Sequence, residues 1–333
     1  MLYYSSELPM SAAVQLMVAE MQVPGLVFKR VDTLTLQQLS PEMLRLNPFG
    51  ELPVLTHKGR AIYGPHIIIE FLLEEYPNNP VSRKLLPPLS SPSHPHPHIY
   101  RAKVRRWFGW VRTAYYYQLA HIWEAVWWGP TLRECFADEG KLLEALPKTP
   151  GREEDSVSAV EAFRHEGSAT SLLASVKPYI DELRPRIAYV EKELAENGGL
   201  YLCGGDEASY ADLFVLPIVL LCLKYTAQAA GTQAASVLSS FPCTARWVDA
   251  LRQRGGPHGP CAKLMAEMVC LHGRPNIKQV SQKYGYDYEL VGNGDSALVY
   301  DPFIRDEALQ VLRAHYESRP GDIFVATYPK VKM

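Results

Sequence analysis

Histidines and cysteines that could bind a metal ion or exchange a disulfide occur at two places in the sequence. His94, His96 and His98 alternate with prolines, but no cysteine or carboxylate cluster accompanies them. Cys261 and Cys270 lie near two further histidines, yet their spacing matches no recognised zinc motif. We interpret the first group as a polar, proline-spaced linker and the second as isolated core or surface residues, and we expect no metal.

Several features of the whole sequence exclude particular classes of protein. The six cysteines form no CxxC pair, so reduced thiols are the simplest account. The formal net charge of -2 lacks the basic excess of a nucleic-acid binder. The N-terminus lacks the pattern of a secretory signal, and the apolar window Leu213–Leu223 is too short to span a bilayer. We therefore expect a cytoplasmic protein with no membrane span and no nucleic-acid partner.

The first 86 residues alternate strand and helix patterns in the order βαβ, then α, ββ and α. This order predicts a small α/β sandwich rather than a doubly wound sheet. Asn47-Pro48-Phe49-Gly50 is a turn signal between the two halves, and a hairpin is expected around Lys58-Gly59. The predicted elements are Leu2–Tyr4, Ser11–Met21, Leu26–Val31, Pro41–Leu46, Leu52–Thr56, Ala61–Tyr63 and Ile67–Tyr76.

The rest of the chain divides into a linker, a helical domain and an extension. A proline- and histidine-rich stretch over 87–98 is the predicted linker after the domain at 1–86. Helical patterns fill 99–255, including an amphipathic segment over Ser171–Asn197 and an apolar one over Ala211–Tyr225. Gly255-Gly256-Pro257 marks the predicted start of an extension over 256–333. We thus expect an α/β domain followed by an all-α domain.

Two motifs resemble those of the cytosolic glutathione transferases. The sequence NPFGELPVL over 47–55 resembles the family's NPxGxVPxL motif. Ser209-Tyr210-Ala211-Asp212 resembles the S/T-x-x-D capping box that begins a buried helix of the second domain, which is a structural feature and not a catalytic one. The resemblance covers residues 1–255 or so. It implies a thioredoxin-like N-terminal domain, an all-α C-terminal domain and glutathione as co-substrate.

In that family the proline of the first motif, here Pro53, follows a cis peptide bond. The residue before it, here Leu52, binds the cysteinyl part of glutathione through its main chain, like an added strand. This contact needs only backbone atoms, so a leucine is compatible with it.

The resemblance also implies a group that activates the glutathione thiol. The family uses a hydroxyl hydrogen bond and the dipole of the first helix to favour the thiolate. Ser5, Ser6 and Ser11 are the candidate hydroxyls, and for Ser11 the alternative is a helix N-cap. Met10 stands where the cysteine-type members have their cysteine, which argues against a cysteine-based mechanism.

The predicted start of the third helix, Gly64-Pro65-His66, departs from the family's pattern. Family members usually have Glu or Gln followed by Ser, and these residues hold the γ-glutamyl end of glutathione. Gly64 has no side chain, and Pro65 has neither a hydroxyl nor an N–H, although proline suits the first position of a helix. His66 or Tyr63 are candidate substitutes, with packing as the alternative. Glu51 replaces a residue that is often Lys or Gln, and an inward-facing anion would repel a glutathione carboxylate.

The first helix of the predicted second domain is rich in tyrosine and tryptophan. Trp107, Trp110 and Tyr117 have spacings of 3 and 7 residues and are expected to share one helical face. By resemblance, this helix lines the pocket for a hydrophobic electrophile, and flat aromatic rings suit such a substrate. The alternative is that these residues form the core between helices.

The end of the chain resembles a different family. Pro302–Lys330 is similar to the opening of cytosolic sulfotransferases, with Thr327-Tyr328-Pro329-Lys330 intact but Val331-Lys332-Met333 in place of the usual continuation. We expect a truncated fragment without sulfotransferase activity, in which the strand at Ile323–Ala326 has an unpaired edge.

These observations support an enzyme that conjugates or reduces a hydrophobic electrophile with glutathione. The alternative is a non-catalytic member of the same fold that serves as a binding or dimerisation module. The family habit implies a possible homodimer in either case.

Overall fold

The structure is a computed structural model that describes residues 1–5, 8–33, 35–86, 96–148, 153–164, 167, 169–198, 200–256 and 259–270, together with three short strands beyond residue 289. Ser6, most of the predicted linker and most of the extension lie outside the described residues. The expected fold class is confirmed, because a four-stranded α/β unit precedes an all-helical one.

The N-terminal unit contains a mixed sheet in the order β2-β1-β3-β4. Strands β1 and β2 are parallel, whereas β1 with β3 and β3 with β4 are antiparallel. The elements are β1 (Leu2–Tyr4), α1 (Pro9–Met21), β2 (Phe28–Arg30), α2 (Pro41–Leu46), β3 (Val54–His57), β4 (Arg60–Tyr63), α3 (Pro65–Glu75) and α4 (Pro80–Leu85). Proline begins each of these helices, where its missing N–H costs nothing.

The second unit is helical throughout its described residues. Its helices are α5 (Pro97–Ala114), α6 (Ala120–Trp123), α7 (Gly129–Cys135), α8 (Glu139–Ala145), α9 (Glu153–Arg164), α10 (Ala169–Ser175), α11 (Lys177–Asp181), α12 (Leu183–Asn197), α13 (Tyr210–Ala229), α14 (Ala234–Leu238), α15 (Pro242–Gln253) and α16 (Pro260–Cys270). The segment predicted to be amphipathic and helical over Ser171–Asn197 is formed by three helices, α10 to α12.

Two π-helical stretches, Tyr115–Leu119 and Glu124–Trp128, join α5, α6 and α7 into one long helical segment. The residues at the junctions keep right-handed helical dihedrals, so the chain continues without a break. A π turn closes with an i→i+5 hydrogen bond and uses more residues than an α turn. Side-chain directions predicted from a period of 3.6 therefore change beyond Ala114.

Helix α13 is the centre of the main core and packs against α1, α5 and α12. The predicted capping box at its start is confirmed. Asp212 is fully buried, and its carboxylate accepts hydrogen bonds from the Ser209 and Leu202 N–H groups and from Trp247 Nε1, each at 2.8 Å. Among the described helices, α13 alone has the length and composition to cross a membrane, but 78% of the apolar window is buried inside the protein.

A second, smaller core joins the two units near the loop after β2. Leu36 and Leu39 of that loop pack with Trp128 at the end of the second π-helical stretch and with Leu132 and other apolar residues from α7 to α9. This contact fixes the position of the loop relative to the helical unit.

The helical core extends beyond the boundary predicted at Gly255. Helix α16 packs on α1, α13 and α15, and Cys261, Leu264 and Met265 are buried in the main core. The ion pair of Arg254 with Glu20 of α1 (2.8 Å) lies just before this helix.

The described strands beyond residue 289 are β5 (Leu290–Val291), β6 (Leu298–Tyr300) and β7 (Val325–Ala326). Strand β7 lies in the sulfotransferase-like segment and pairs in parallel with β6. Strand β7 thus pairs along one edge, and its other edge has no strand beside it among the described residues, in line with the expected unpaired edge. The rest of that segment, including 327–333, lies outside the described residues.

Candidate functional site

The ends of four strands meet at one edge of the N-terminal sheet. Because β1 and β2 are parallel and each later strand runs antiparallel to its neighbour, the carboxyl ends of β1, β2 and β4 lie beside the start of β3. This edge carries Ser5, Thr33, Leu52 and Gly64, each within three residues of a strand end. The topology thus brings together candidates that are far apart in the sequence.

The peptide bond between Leu52 and Pro53 is cis, as the resemblance implied. Asn47 holds the preceding loop, because its side-chain amide donates to the Glu51 carbonyl at 2.8 Å and its Oδ1 accepts from the Phe49 N–H at 3.0 Å. Among the described residues, nothing forms a hydrogen bond with the N–H or C=O of Leu52. The N–H and C=O of Leu52 are therefore without a partner among the described residues, and the residue as a whole is 5% exposed.

Both described candidate serines are buried and bonded within the protein. The Ser5 hydroxyl lies 3.0 Å from the Thr33 hydroxyl, and the Ser11 hydroxyl accepts the Ser5 backbone N–H at 3.2 Å. The alternative of Ser11 as a helix N-cap is wrong, because α1 begins earlier and its N-cap is Leu8. Thr33 is a contact that the sequence patterns did not reveal.

Helix α1 begins at this edge without a side-chain cap. Leu8 offers no side-chain acceptor, and no acidic residue lies in the first turn. The N–H groups of the first turn, at Met10 and Ser11, therefore keep the positive end of the helix dipole unneutralised. Such a helix end favours an anion beside it.

The start of α3 explains the absence of the family's glutamate or glutamine. Gly64 has a left-handed φ of 88°, and an added Cβ would come within 3.1 Å of Ile67 Cδ1. A side chain at this position would therefore be strained and crowded. Pro65 occupies the first helical position with no N–H to donate.

His66 faces the helical unit across the cleft between the two units. Its ring lies 5.1 Å from that of Phe108 on α5, measured between centroids. Burial lowers the pKa of His66, and Arg112 lowers it further, against the opposing effects of Glu70 and Glu51. His66 is therefore largely neutral at neutral pH.

Two residues that sequence reasoning missed, Tyr116 and Arg112, complete this cleft. The Tyr116 hydroxyl donates a hydrogen bond of 2.5 Å to the Glu51 carboxylate, which joins the π-helical stretch to the loop before β3. Arg112 influences the pKa of both His66 and Tyr116, so it lies near both side chains. Neither residue belongs to a recognisable motif, because exposed residues on a helix leave no local pattern.

Glu70 on α3 forms a polar bridge between the units. It accepts two hydrogen bonds from Arg105, at 2.8 and 3.0 Å, and one from the Tyr210 hydroxyl at 2.7 Å. Burial raises the pKa of the Glu70 carboxyl, but these hydrogen bonds and the charge of Arg105 outweigh it and leave the pKa below its ordinary value. The bridge fixes α3, and with it His66, against α5 and α13.

The three aromatic residues predicted for the electrophile pocket do not share a face. Trp107 and Trp110 are buried in the main core, with exposures of 1% and 9%, and Trp107 packs edge-on against Tyr189. Tyr117 is 67% exposed. The expectation of a common face is wrong because Tyr117 lies in the first π-helical stretch, where the period changes.

Other reactive groups lie away from this edge. Within the described part of the chain, no group of three or more His, Cys, Asp or Glu side chains could hold a metal. Burial raises the pKa of the Cys203 and Cys222 thiols to about 12. A cavity of about 410 Å³ lies between the loop after β2 and the end of α8, and its lining contains none of the predicted site residues.

Comparison with known proteins places the N-terminal unit in a family. Residues 6–80 match the family model described as glutathione S-transferase, N-terminal domain. Glutathione S-transferase 1 of Dianthus caryophyllus is 43% identical over 54 residues, 16% of this chain and 24% of that protein. Glutathione S-transferase D7 of Drosophila melanogaster is 34% identical over 93 residues, 26% of this chain and 41% of that protein. The chain thus matches less than half the length of these relatives.

Solved structures share the whole two-unit architecture at low sequence identity. The beta-etherase LigF of Sphingobium sp. strain SYK-6 has a TM-score of 0.57 and 22% identity, covering 80% of this chain and 98% of that one. Glutathione transferase E6 of Drosophila melanogaster has a TM-score of 0.51 and 20% identity, covering 81% and 94%. At these identities the likeness concerns the fold. The chain therefore shares its fold with these glutathione transferase-like structures, and its residues 6–80 match the glutathione S-transferase N-terminal domain model.

Proposed function

We propose that this protein binds glutathione and transfers it to a hydrophobic electrophile. The observation that carries the proposal is the unpaired main chain of Leu52 at an edge where Ser5 and the start of α1 also lie. The cysteinyl residue of an extended tripeptide pairs with Leu52 there as a short added strand. A family model for the N-terminal domain over residues 6–80 supports the same ligand.

The thiolate in this proposal is stabilised by two features of the edge. The positive end of α1 attracts the anion. In this proposal the Ser5 hydroxyl donates to the sulfur, and the Thr33 hydroxyl, whose oxygen lies 3.0 Å from that of Ser5, donates to Ser5 in turn. The thiol proton leaves to solvent, and the thiolate forms a carbon–sulfur bond to the electrophile as the leaving group departs with its electron pair. Ser6 and Ser11 remain alternative donors.

The electrophile in this proposal lies against the π-helical stretch that borders the edge. Tyr116 reaches the loop before β3, and Tyr117 next to it is exposed, so aromatic surface is available beside the thiolate. A homodimer and a cytoplasmic location belong to the same proposal.

Two observations favour a second candidate, a non-catalytic binding module. The Ser5 and Ser11 hydroxyls are fully buried and already bonded to protein groups. Gly64 and Pro65 also lack the side-chain contacts with which the family holds the γ-glutamyl group. A ligand bound at Leu52 alone would not require an activated thiol.

Binding and turnover separate the two candidates. We would measure retention on immobilised glutathione with elution by free glutathione, and conjugation of chlorodinitrobenzene. Ser5→Ala should reduce turnover and leave retention intact, whereas Ser239→Ala, an exposed serine far from the edge, should change neither. Folded protein that is retained but inactive would favour the binding module. Failure of both assays in correctly folded protein would overturn the proposed enzyme.

A further inference from the structure

Phe108, Arg112 and Tyr116, which are spaced four residues apart on the long helical segment, lie next to the N-terminal unit, because Phe108 and Tyr116 contact it and Arg112 is near both His66 and Tyr116. The outer two have fixed partners on the N-terminal unit: Phe108 contacts the ring of His66, and Tyr116 bonds the carboxylate of Glu51. Arg112 lies between them on the same face. Its guanidinium therefore faces the gap between the start of α3 and the loop before β3.

Within the described residues, the side chain of Arg112 has no direct partner beside this gap. Glu70 is already bonded by Arg105 on the same helix, and Arg112 is the cation among the charged groups that shift the pKa of His66. Within the described residues, Arg112 has neither a hydrogen-bond partner nor an ion-pair partner for its side chain, and it is exposed. An exposed guanidinium without a carboxylate partner is suited to bind one from a ligand.

Glu51 gives the gap a second, opposite charge. Its carboxylate is held at 2.5 Å by the Tyr116 hydroxyl, about one helical turn beyond Arg112. The cation of Arg112 and the anion of Glu51 both act on His66 and on Tyr116, and such a pair of charges is complementary to the carboxylate and ammonium groups of an α-amino acid. Of the two ends of glutathione, only the glutamyl end carries both groups, whereas the glycyl end carries a carboxylate alone.

We propose that Arg112 binds the α-carboxylate at the glutamyl end of glutathione, while Glu51, oriented by Tyr116, receives the adjacent ammonium group. This inference rests on the proposed function, because it assumes that the cysteinyl residue pairs with Leu52. Arg112 then takes the part of the side-chain contact that Gly64 and Pro65 cannot provide. In this proposal the cation that binds the glutamyl carboxylate comes from the helical unit and not from the start of α3.

Calorimetric binding to full-length protein tests this assignment. Glutathione would be compared with γ-aminobutyryl-cysteinyl-glycine, which lacks only the glutamyl α-carboxylate, and with the amide of the glycyl carboxylate. The variants are Arg112→Ala and Arg112→Lys, with Lys103→Ala as the matched control. Lys103 is an exposed cation on the same helix, and nine residues at 3.6 per turn place it about half a turn away from Arg112.

We expect Arg112→Ala to weaken glutathione binding about ten- to a hundredfold, since a charge-assisted hydrogen bond is lost. The glycyl amide should suffer the same loss, and the analogue without the glutamyl carboxylate should be unaffected. Arg112→Lys should recover part of the affinity, and Lys103→Ala should have no effect. Thermal melting of each variant checks that it is folded.

Three outcomes would overturn the assignment. If Arg112→Ala weakens the analogue without the glutamyl carboxylate as much as glutathione, Arg112 acts through the structure and not on that carboxylate. If Arg112→Ala weakens the binding of glutathione but not of the glycyl amide, Arg112 binds the glycyl carboxylate and not the glutamyl one. Both results leave the proposed function standing, because wild-type protein still binds glutathione. Absence of binding to the wild type would remove the proposed function together with this inference.

Discussion

The hydroxyl oxygens of Ser5 and Thr33 lie 3.0 Å apart, one after β1 and the other after β2, and both residues are buried. Each hydroxyl is thus a hydrogen-bond partner of the other at the edge of the sheet. Each hydroxyl has one proton to donate, and the hydrogen bond between Ser5 and Thr33 uses one of these two protons. If Ser5 donates its proton to a thiolate, the donor in the bond between the two residues must be Thr33. The two residues should therefore act as a unit.

Removal of either hydroxyl should weaken thiolate formation to a similar degree. We expect Ser5→Ala and Thr33→Val each to lower kcat for conjugation about tenfold, since one hydrogen bond of ordinary strength is lost. The double variant should lose little more than either single one. Ultraviolet titration of the thiolate in bound glutathione measures the same effect as an upward shift of the thiol pKa. Additive losses in the double variant would show that the two residues act independently.

The Glu70 bridge should make stability depend on acid pH. The folded-state pKa of Glu70 lies below its ordinary value of 4.5, so its stabilising effect is fully present above that pH and is lost as the pH falls through the folded-state value. We expect Glu70→Gln to cost about 1–2 kcal/mol at pH 7, and this cost should shrink below pH 4.5 or so. Urea unfolding at a series of pH values gives the difference. A cost that stays constant into acid would contradict the assigned charge.

Asp212 should be the most sensitive carboxylate of the helical core. Asp212→Ala leaves the Trp247 indole N–H and two backbone N–H groups buried without an acceptor. We expect a loss of at least about 3 kcal/mol in the free energy of unfolding. Asp249→Ala, which removes an exposed carboxylate paired with Arg252, should change stability by no more than about 0.5 kcal/mol. Equal urea midpoints for the two variants would refute the structural role of the box.

Burial separates the two kinds of aromatic residue on the long helical segment. Trp107→Ala should cost about 3–5 kcal/mol, because the side chain is 1% exposed and its loss leaves a cavity in the main core. Tyr117→Ala should leave stability within about 0.5 kcal/mol, since that residue is 67% exposed. If Tyr117 contacts the electrophile, its variant should raise KM for that substrate alone. Chemical denaturation and steady-state kinetics on both variants measure these effects.

The parts of the site that the sequence predicted depend on local chemistry. The turn before Leu52 follows from an asparagine whose side chain bonds two backbone groups within four residues. The box at Ser209 and Asp212 likewise closes over three residues. Such contacts leave a short, ordered pattern in the chain, and the resemblance to a family adds the cis peptide bond.

The parts that were missed depend on packing between distant segments. The common face of Trp107 and Tyr117 failed because two π-helical stretches change the helical period, and no residue type marks them. The partnership of Ser5 with Thr33 needs the parallel pairing of β1 and β2. Arg112 gains its position from contacts that its neighbours make with the other unit.

Helix α16 offers a test of where the helical domain ends. Cys261, Leu264 and Met265 bury their side chains against α1, α13 and α15, although a pair of glycines precedes this helix and suggests a boundary. We expect a chain that ends at Gly256 to be at least about 3 kcal/mol less stable than one that ends at Cys270. The shorter chain lacks the free energy that the longer chain gains on folding when the side chains of Leu264 and Met265 are buried. The shorter chain should also bind more of a hydrophobic dye, because the absence of α16 exposes apolar surface on α1.

Leu264→Ala in the full-length chain tests the contribution of α16 to stability without truncating the chain. It should cost about 2–5 kcal/mol, as expected for a leucine that is 3% exposed, and should leave the N-terminal site chemically unchanged. Glutathione retention measured beside urea unfolding separates the two effects. If both truncated chains unfold at the same urea concentration and Leu264→Ala is silent, α16 is not part of the core, and the domain ends where the glycines suggest.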